Sequence, residues 1–431
     1  MDDKFNLLKN IRVSVISFSV NIFLVFISYR LVIAYESIDA VGLWSLLMAW
    51  GALIRVGDVG MGGAILRFIS TKSLETEPVI IRKYVDTGIV MNFTAFGLLS
   101  LIGYLILDLN LLSLVGSDVF QVAKALLPIM FIGILFSSMT SVLIASLQGV
   151  HHGYLGSYLT VGGNIIQIVC VLMLVPKIGV LGLAWAQLIQ FSIITVVGWV
   201  LLRRTIGSGG LLPVGFSFSI LREMFGFSLK AQIANVTNGL FEPCSKILIS
   251  QFGGLQVQGF YELAYKTVSL TRNAIVAGLF ASLPVLTNLI NESHEQAQEF
   301  YNKTQKNITR AISLMMILVI VSSPVVSLVW IGQFEWDYWL FVVCIAIGFW
   351  VNTIGATAYN LGLAAGKMKN NIFSSVSMLV VLITLGYSAG YLFGAKGVGI
   401  AVGLSLMFGG ILIKVLNERL LFMLLRQIRS N

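Results

Sequence analysis

The sequence predicts an all-α integral membrane protein with about twelve transmembrane helices, arranged as two lobes of six helices each. Three observations lead to this fold class: the composition, the number of apolar segments and a repeat between the two halves. Of the 431 residues, 57% are hydrophobic and only 11% are charged, whereas a soluble domain carries about 25% charged residues. So few charges cannot coat a soluble core of this size, and we therefore expect the chain to lie in a lipid bilayer.

Twelve apolar segments are long enough to cross the bilayer as helices, which takes about 20 residues each. Turn-forming and charged residues separate them. The first follows a short N-terminus of mixed charge and is too long for the core of a signal peptide, so it is expected to be retained. The predicted spans are 13–34, 41–70, 85–107, 123–147, 153–175, 181–202, 224–251, 258–290, 308–331, 338–364, 371–393 and 397–421.

The distribution of lysine and arginine predicts that both termini are cytoplasmic. With a cytoplasmic N-terminus, the inner segments carry seventeen basic residues and the outer loops carry two, Lys177 and Lys396. Basic residues near span ends are strongly favoured on the cytoplasmic side. This asymmetry sets the expected orientation of every span.

A shift of 217 positions aligns the first half of the chain with the second. It places Gly42 on Gly259 and Arg55 on Arg272, and further matches follow at Gly149 with Gly366 and at 182–184 with 399–401. Because each half has an even number of spans, the halves form a parallel repeat, which predicts a cavity between two lobes. We expect an N-terminal lobe at 1–207, a cytoplasmic linker at 208–222 and a C-terminal lobe at 223–431.

The best candidates for a binding site are basic residues inside the spans. Arg55 and Arg272 each lie near the middle of a span, where an unpaired charge costs at least about 2.5 kcal/mol and usually marks function. With Arg30, Lys246 and Lys266 they outnumber the nearby acids. A cationic cavity suits a phosphate or diphosphate, which arginine binds through two parallel hydrogen bonds.

The acids within the spans are candidates for ion coupling. Asp58 shares a helix face with Arg55, while Glu242 and Glu262 each precede a lysine by four residues. These pairs have two possible roles: they neutralise each other between packed helices, or they bind a coupling ion. Pro243 interrupts the backbone hydrogen bonding of its span and is either a hinge or a fixed bend.

Other polar residues in the spans have structural explanations. Asp86 lies near a span end, where charged side chains reach the headgroups, and Tyr261 and Tyr265 are weaker candidates for stacking on sugars. The three cysteines fall inside apolar spans and indicate neither a disulfide framework nor a metal site. No enzyme constellation is evident, and we expect no cofactor, no metal and no nucleic acid.

The sequence resembles the polysaccharide transporter family, the Wzx-type O-antigen flippases, within the superfamily that includes the multidrug and toxic-compound extruders (MATE). The similarity extends over essentially the whole chain in short motifs. The residues that carry it are Val41-Gly42-Leu43-Trp44, Asp58-Val59-Gly60 through Arg67, Leu147-Gln148-Gly149, Gly182-Leu183-Ala184, Gly259-Phe260-Tyr261 with Ala264, and Leu283-Pro284-Val285.

This resemblance implies a V-shaped, MATE-like transporter in the bacterial inner membrane. Its substrate would be a polyprenyl-diphosphate-linked oligosaccharide, moved to the outer leaflet by alternating access and coupled to a proton or sodium ion. Membrane lipid and polysaccharide assembly proteins are the partners implied. Two alternatives stay open: a cation-coupled multidrug extruder of the same superfamily, and an integral-membrane polymerase or glycosyltransferase acting on the same lipid.

Overall fold

A computed structural model describes residues 2–54, 61–72, 74, 76–207, 210–280 and 282–429. Within these ranges the chain forms eleven α-helices and no strand. They are α1 (Asp2–Tyr35), α2 (Ile38–Ile54), α3 (Met61–Ile69), α4 (Pro78–Val115), α5 (Phe120–Gly149), α6 (Gly153–Ile206), α7 (Phe218–Phe280), α8 (Leu283–Glu292), α9 (His294–Ile331), α10 (Trp336–Ala364) and α11 (Lys369–Arg429).

Three of these helices, α6, α7 and α11, are helical hairpins. The backbone leaves the helical conformation at Gly179 in α6, at Gly254 in α7 and at Gly394 in α11. Residues at similar distances from these points meet across the two arms, as Asn371 and Asn417 do in α11. Each of the three glycines has a φ between 57° and 72°, a conformation that glycine adopts without steric cost. The glycines therefore allow the chain to reverse direction.

The hairpins explain how eleven helices supply about twelve membrane crossings. In the described ranges, eight helical segments are long and apolar enough to span a bilayer, and α6, α7 and α11 each account for two crossings. The shorter helices α2 and α3 flank residues 55–60 and together correspond to the predicted span 41–70. The all-α membrane fold is confirmed, and the cytoplasmic location of the termini stays a prediction.

The chain divides into two compact units, Met1–Ile233 and Ala234–Asn431. The core of the first unit packs α3, α4, α5 and the end of α6 around fully buried residues such as Ile65 and Val85. The second unit buries Tyr301 and Leu361 where α8, α9 and α10 meet. In both units large apolar side chains also point outward, for example Leu109 and Tyr391, more than 80% exposed, as expected for surfaces that face lipid.

In the second unit, α10 packs closely against α11. A Cβ atom added to Gly355 of α10 would lie 2.4 Å from the backbone oxygen of Gly410 on α11, so no larger residue fits at that position. Small residues let the backbones of membrane helices approach closely. This contact fixes α10, which carries several residues of the site described next.

Candidate functional site

The second unit contains a cavity of about 500 Å³ among α7, α10 and α11. Its volume falls in the range of about 300–1,000 Å³ that is typical of small-molecule sites. Apolar side chains such as Leu270 and Met378 form part of its wall. The polar and charged residues that line it are Glu242, Tyr265, Lys266, Ser269, Arg272, Asn273, Asn352, Tyr359, Asn360, Ser374 and Ser375.

The α7 hairpin brings four charged residues together, and we call them the lysine–glutamate cluster: Glu242, Lys246, Glu262 and Lys266. Glu242 and Lys266 each lie twelve residues from Gly254, and Lys246 and Glu262 each lie eight residues from it. A turn at Gly254 therefore sets each acid of one arm opposite a lysine of the other. The cluster follows from the position of the turn together with the i,i+4 spacing within each arm.

Lys246 is the centre of the lysine–glutamate cluster. Its Nζ lies 2.7 Å from Glu242 Oε1 and 2.7 Å from Glu262 Oε2. The Nζ of Lys266 lies farther away, at 3.4 Å from Glu242 Oε1 and 3.8 Å from Glu262 Oε1. Two cations and two anions cancel, which is how charges are usually accommodated within a membrane.

The members of the cluster differ in their access to the cavity. Glu242 and Lys266 line it, and their side chains are 37% and 28% exposed. Lys246 and Glu262 are not among the lining residues and are only 5% and 1% exposed. Glu242 and Lys266 can therefore exchange partners with a ligand, while Lys246 and Glu262 are enclosed.

Two tyrosines pack next to the cluster. Tyr261 is fully buried, donates a hydrogen bond of 2.8 Å to Ser245 Oγ and packs edge-on against Phe341. Tyr265 lines the cavity, and its ring lies 5.7 Å from the Nζ of Lys246. Of the two, only Tyr265 is placed to contact a ligand in the cavity.

Arg272 is held in a different way, by a group of residues that we call the Arg272 clamp: Arg272, Phe349 and Asn352. Its Nη2 donates to Asn352 Oδ1 at 3.2 Å, and its guanidinium carbon lies 4.8 Å from the centre of the Phe349 ring. Within the described residues, no carboxylate forms an ion pair with Arg272, and its buried Nε has no hydrogen-bond acceptor. The side chain thus presents an uncompensated positive charge to the cavity.

The other predicted site residues do not line the cavity or lie outside the residues that the structure describes. Arg30 is half-buried on α1 in the first unit. Arg55 and Asp58 lie outside the described residues. Pro243 is buried within α7, where the backbone remains helical, and the break in that helix is at Gly254.

The environment of Asp86 differs from the prediction that it lies near a span end and reaches toward the headgroups. The residue is fully buried in the first unit and forms ion pairs with Arg82 and Arg203. It also accepts a hydrogen bond of 2.9 Å from the backbone nitrogen of Gly215. Asp86 therefore fixes the segment that follows α6 to α4, and does not reach toward the headgroups.

Sequence reasoning missed the residues of α10 that hold Arg272. These residues are Phe349 and Asn352, both inside the apolar span 338–364, and a polar residue such as Asn352 in such a span is a signal worth pursuing. The sequence did not identify them, because they approach Arg272 only in the folded chain: Asn352 is 80 positions further along.

Comparisons of the fold identify solved structures with similar architecture. An inward-facing multidrug resistance MATE family transporter of the MOP superfamily has a TM-score of 0.78 at 13% identity, covering 96% of this chain and 99% of that one. Lipid II flippase MurJ in the inward closed conformation has a TM-score of 0.74 at 15% identity, covering 97% and 92%. A MOP superfamily transporter from Pyrococcus furiosus, described by a binding pocket of reverse polarity, has a TM-score of 0.67 at 16% identity, covering 96% of each chain.

These structural similarities establish the fold, and a match to a sequence model of a protein family establishes the family. No curated protein matches this chain by sequence. The model of the polysaccharide biosynthesis protein family matches residues 78–337, which is more than half of the chain and includes the lysine–glutamate cluster and Arg272. The chain is a multi-pass membrane protein with the fold of MATE and MurJ transporters, and it belongs to the polysaccharide biosynthesis protein family.

Proposed function

We propose that this protein is a flippase that moves a polyprenyl-diphosphate-linked oligosaccharide across the bacterial inner membrane. The cargo is an O-antigen unit or a similar repeat unit, and it passes from the cytoplasmic to the outer leaflet by alternating access. The observation that carries the proposal is the Arg272 clamp, which keeps a cation without a carboxylate partner among the described residues inside a cavity of about 500 Å³. The family and the fold shared with a lipid II flippase support it.

The chemistry of the cavity fits a diphosphate joined to a sugar. A guanidinium presents several N–H groups in a planar fork that matches phosphate oxygens, and Lys266 adds a second cation at the cavity wall. The amides and hydroxyls of Asn273, Asn360 and Ser374 offer donors and acceptors to sugar hydroxyls, and Tyr265 offers an aromatic ring. The prenyl tail remains in the lipid while the head group crosses.

The remaining basic candidates keep their predicted roles within this proposal. Arg30 and Arg55 would contribute to the positive charge that attracts the head group, and Lys246 would act through its partners, since it is enclosed by two carboxylates. Pro243 would serve as a hinge of α7 during the transport cycle.

Ion coupling is assigned to Glu242, Glu262 and Asp58, with a proton or sodium ion as the coupling ion. Glu242 is the acid of the described cluster that lines the cavity, and its Oε1 contacts both lysines. A diphosphate that binds Lys266 would compete with this carboxylate and leave it free to take up a cation. Binding of the substrate and of the coupling ion would then be linked at one oxygen atom.

The same fold admits a cation-coupled multidrug extruder as a second function. A cationic drug would need unopposed acids in the cavity, but Glu242 and Glu262 are both paired with lysines. A membrane polymerase or glycosyltransferase is a weaker alternative, because the short outer loops leave little room for a catalytic domain. Polysaccharide assembly proteins are the partners expected for the flippase.

The proposal is tested in a strain that lacks the protein. Lipid-linked oligosaccharide should become inaccessible to an impermeant sugar-cleaving enzyme added outside, and surface polysaccharide should fall, while efflux of cationic dyes stays unchanged. If dye efflux falls and surface polysaccharide is normal, the extruder function is correct.

A further inference from the structure

Lys246 and Arg272, two cations inside the second unit, are held by opposite means. Lys246 lies between two carboxylates at 2.7 Å each. Arg272 contacts an amide oxygen and an aromatic ring, both of which are electrically neutral. The nature of these partners decides whether the cation keeps its charge for a ligand.

The amide of Asn352 is oriented by contacts on both sides. Its Nδ2 donates to the backbone oxygen of Leu406 on α11 at 3.3 Å and lies 3.8 Å from the sulfur of Met378. These contacts direct the amide nitrogen toward α11 and leave Oδ1 to accept from Arg272. A single orientation of the side chain therefore satisfies both ends of the amide.

Phe349 supports the same guanidinium from a second direction. It precedes Asn352 by three residues, so both side chains project from the same face of α10. A guanidinium near an aromatic ring gains a cation–π attraction, which is stronger in a site that excludes water. Together the ring and the amide fix the side chain without adding a negative charge.

The clamp also leaves hydrogen-bonding capacity unused. An arginine side chain has five N–H donors, and Asn352 accepts from Nη2. Nε is buried and has no acceptor within the described part of the chain. Arg272 therefore keeps N–H donors that an anionic ligand in the cavity can engage.

We infer that Asn352 and Phe349 are positioning residues that hold Arg272 in the cavity without neutralising it, so that its charge and free donors bind the anionic head group. This inference rests on the proposed function, because it concerns how the same site binds its diphosphate. An aspartate at position 352 would hold the guanidinium at least as firmly, but it would cancel the charge. The neutrality of residue 352 is thus a condition for binding.

The test uses the full chain purified in detergent and farnesyl diphosphate as a soluble probe, with affinity measured by calorimetry. N352D is compared with N273D, since Asn273 lines the same cavity and no hydrogen bond joins it to Arg272 in the described structure. N273D therefore introduces the same charge without capturing the guanidinium. R272A, F349L and the double variant R272A/N352D complete the set.

We expect N352D to weaken binding at least about tenfold more than N273D, because a charge-assisted pair with the probe is replaced by one within the protein. The unfolding temperature of N352D should change little, because the new ion pair with Arg272 offsets the lost hydrogen bond to the Leu406 carbonyl. The double variant R272A/N352D should bind the probe more weakly than R272A by a factor that is no larger than the factor by which N273D alone weakens binding. F349L should weaken binding several-fold, and it should also lower the unfolding temperature slightly, because Phe349 is buried against Tyr265.

The outcomes separate this inference from the proposed function. If R272A removes binding but N352D binds as well as N273D, the positioning role is wrong and the proposed site stands. If R272A binds the probe normally, Arg272 is not the anion site, and both the positioning role and the proposed site are wrong. Should N352D not accumulate in the membrane, F349L decides, with affinity measured well below its unfolding temperature: normal affinity overturns the inference, and weaker affinity of the folded variant supports it.

Discussion

Lys246 and Arg272 are carried by the same helix, α7, and both are cations inside a membrane-spanning unit, yet their surroundings differ. Lys246 contacts two carboxylates and is only 5% exposed. Arg272 lines a cavity and rests against an amide and a phenyl ring. A cation that is neutralised contributes to the fold, whereas one that is positioned but not neutralised can attract a ligand. Position along the sequence does not distinguish them, but the charge of the neighbouring groups does.

The largest effect that this comparison predicts is on stability, for Lys246→Met. The substitution removes the lysine that lies 2.7 Å from the buried Glu262 and leaves Lys266 at 3.8 Å, and losing one member of a buried pair costs about 3–5 kcal/mol. Thermal unfolding in detergent should show a clearly lower transition and membrane abundance should fall. The double variant Lys246→Met/Glu262→Gln should recover most of the loss, because it also removes the carboxylate charge that Lys246 had compensated.

Lys266→Met is the matched control for this prediction. Its side chain is 28% exposed and its ion-pair distances are 3.4 and 3.8 Å, so the unfolding temperature should change much less. Equal losses from the two lysine substitutions would contradict the distinction between an enclosed and an accessible lysine.

A smaller effect is expected for Asp86→Asn in the first unit. The carboxylate is fully buried and pairs with Arg203, and a hydrogen bond to a charged group contributes about 1.5–3 kcal/mol. The unfolding temperature should fall, while the affinity for farnesyl diphosphate should not change. Weaker binding at an unchanged unfolding temperature would show that this neutralised pair takes part in ligand binding.

The smallest effect is expected for Glu242→Gln. Glu242 belongs to the lysine–glutamate cluster and also lines the cavity that contains Arg272. Lys246 keeps Glu262 at 2.7 Å, so the stability should change by less than about 1 kcal/mol, as for other solvent-accessible ion pairs. Lys266 loses its nearer partner, and the cavity gains net positive charge. Affinity for farnesyl diphosphate should rise up to about fivefold, and the gain should shrink as salt is added.

Transport by the Glu242→Gln variant tests separately whether Glu242 takes part in ion coupling. If Glu242 binds the coupling ion, transport should lose its dependence on the ion gradient although binding of the probe improves. Transport that keeps its full gradient dependence would remove Glu242 from the coupling candidates.

The fold was predictable because membrane crossing depends on the length and apolarity of each segment, which the sequence displays directly. The turn of α7 falls at Gly254, between the predicted spans 224–251 and 258–290. The i,i+4 pairs Glu242–Lys246 and Glu262–Lys266 were predicted as well. The cross-arm contact between Lys246 and Glu262 was not predicted, because it depends on where the turn lies to within one residue.

The Arg272 clamp could be predicted only in part. The central location of Arg272 in its span and its match to Arg55 indicated a functional cation. Its partners Phe349 and Asn352 come from α10, and no spacing rule links them to α7. Asp86 was misassigned for the same reason, since its partners Arg203 and Gly215 follow it by more than 100 residues.

The most direct test of the central claim is transport by Arg272→Ala measured together with membrane abundance. The assay follows lipid-linked oligosaccharide reaching the outer leaflet, and Arg272→Lys is the matched variant because it keeps the charge and loses the planar fork. We predict that Arg272→Ala reduces transport about tenfold or more at normal abundance, given about 1.5–3 kcal/mol for a charge-assisted hydrogen bond, and that Arg272→Lys restores it partly. Normal transport by Arg272→Ala, or a loss of activity that only follows a loss of protein, would contradict the account.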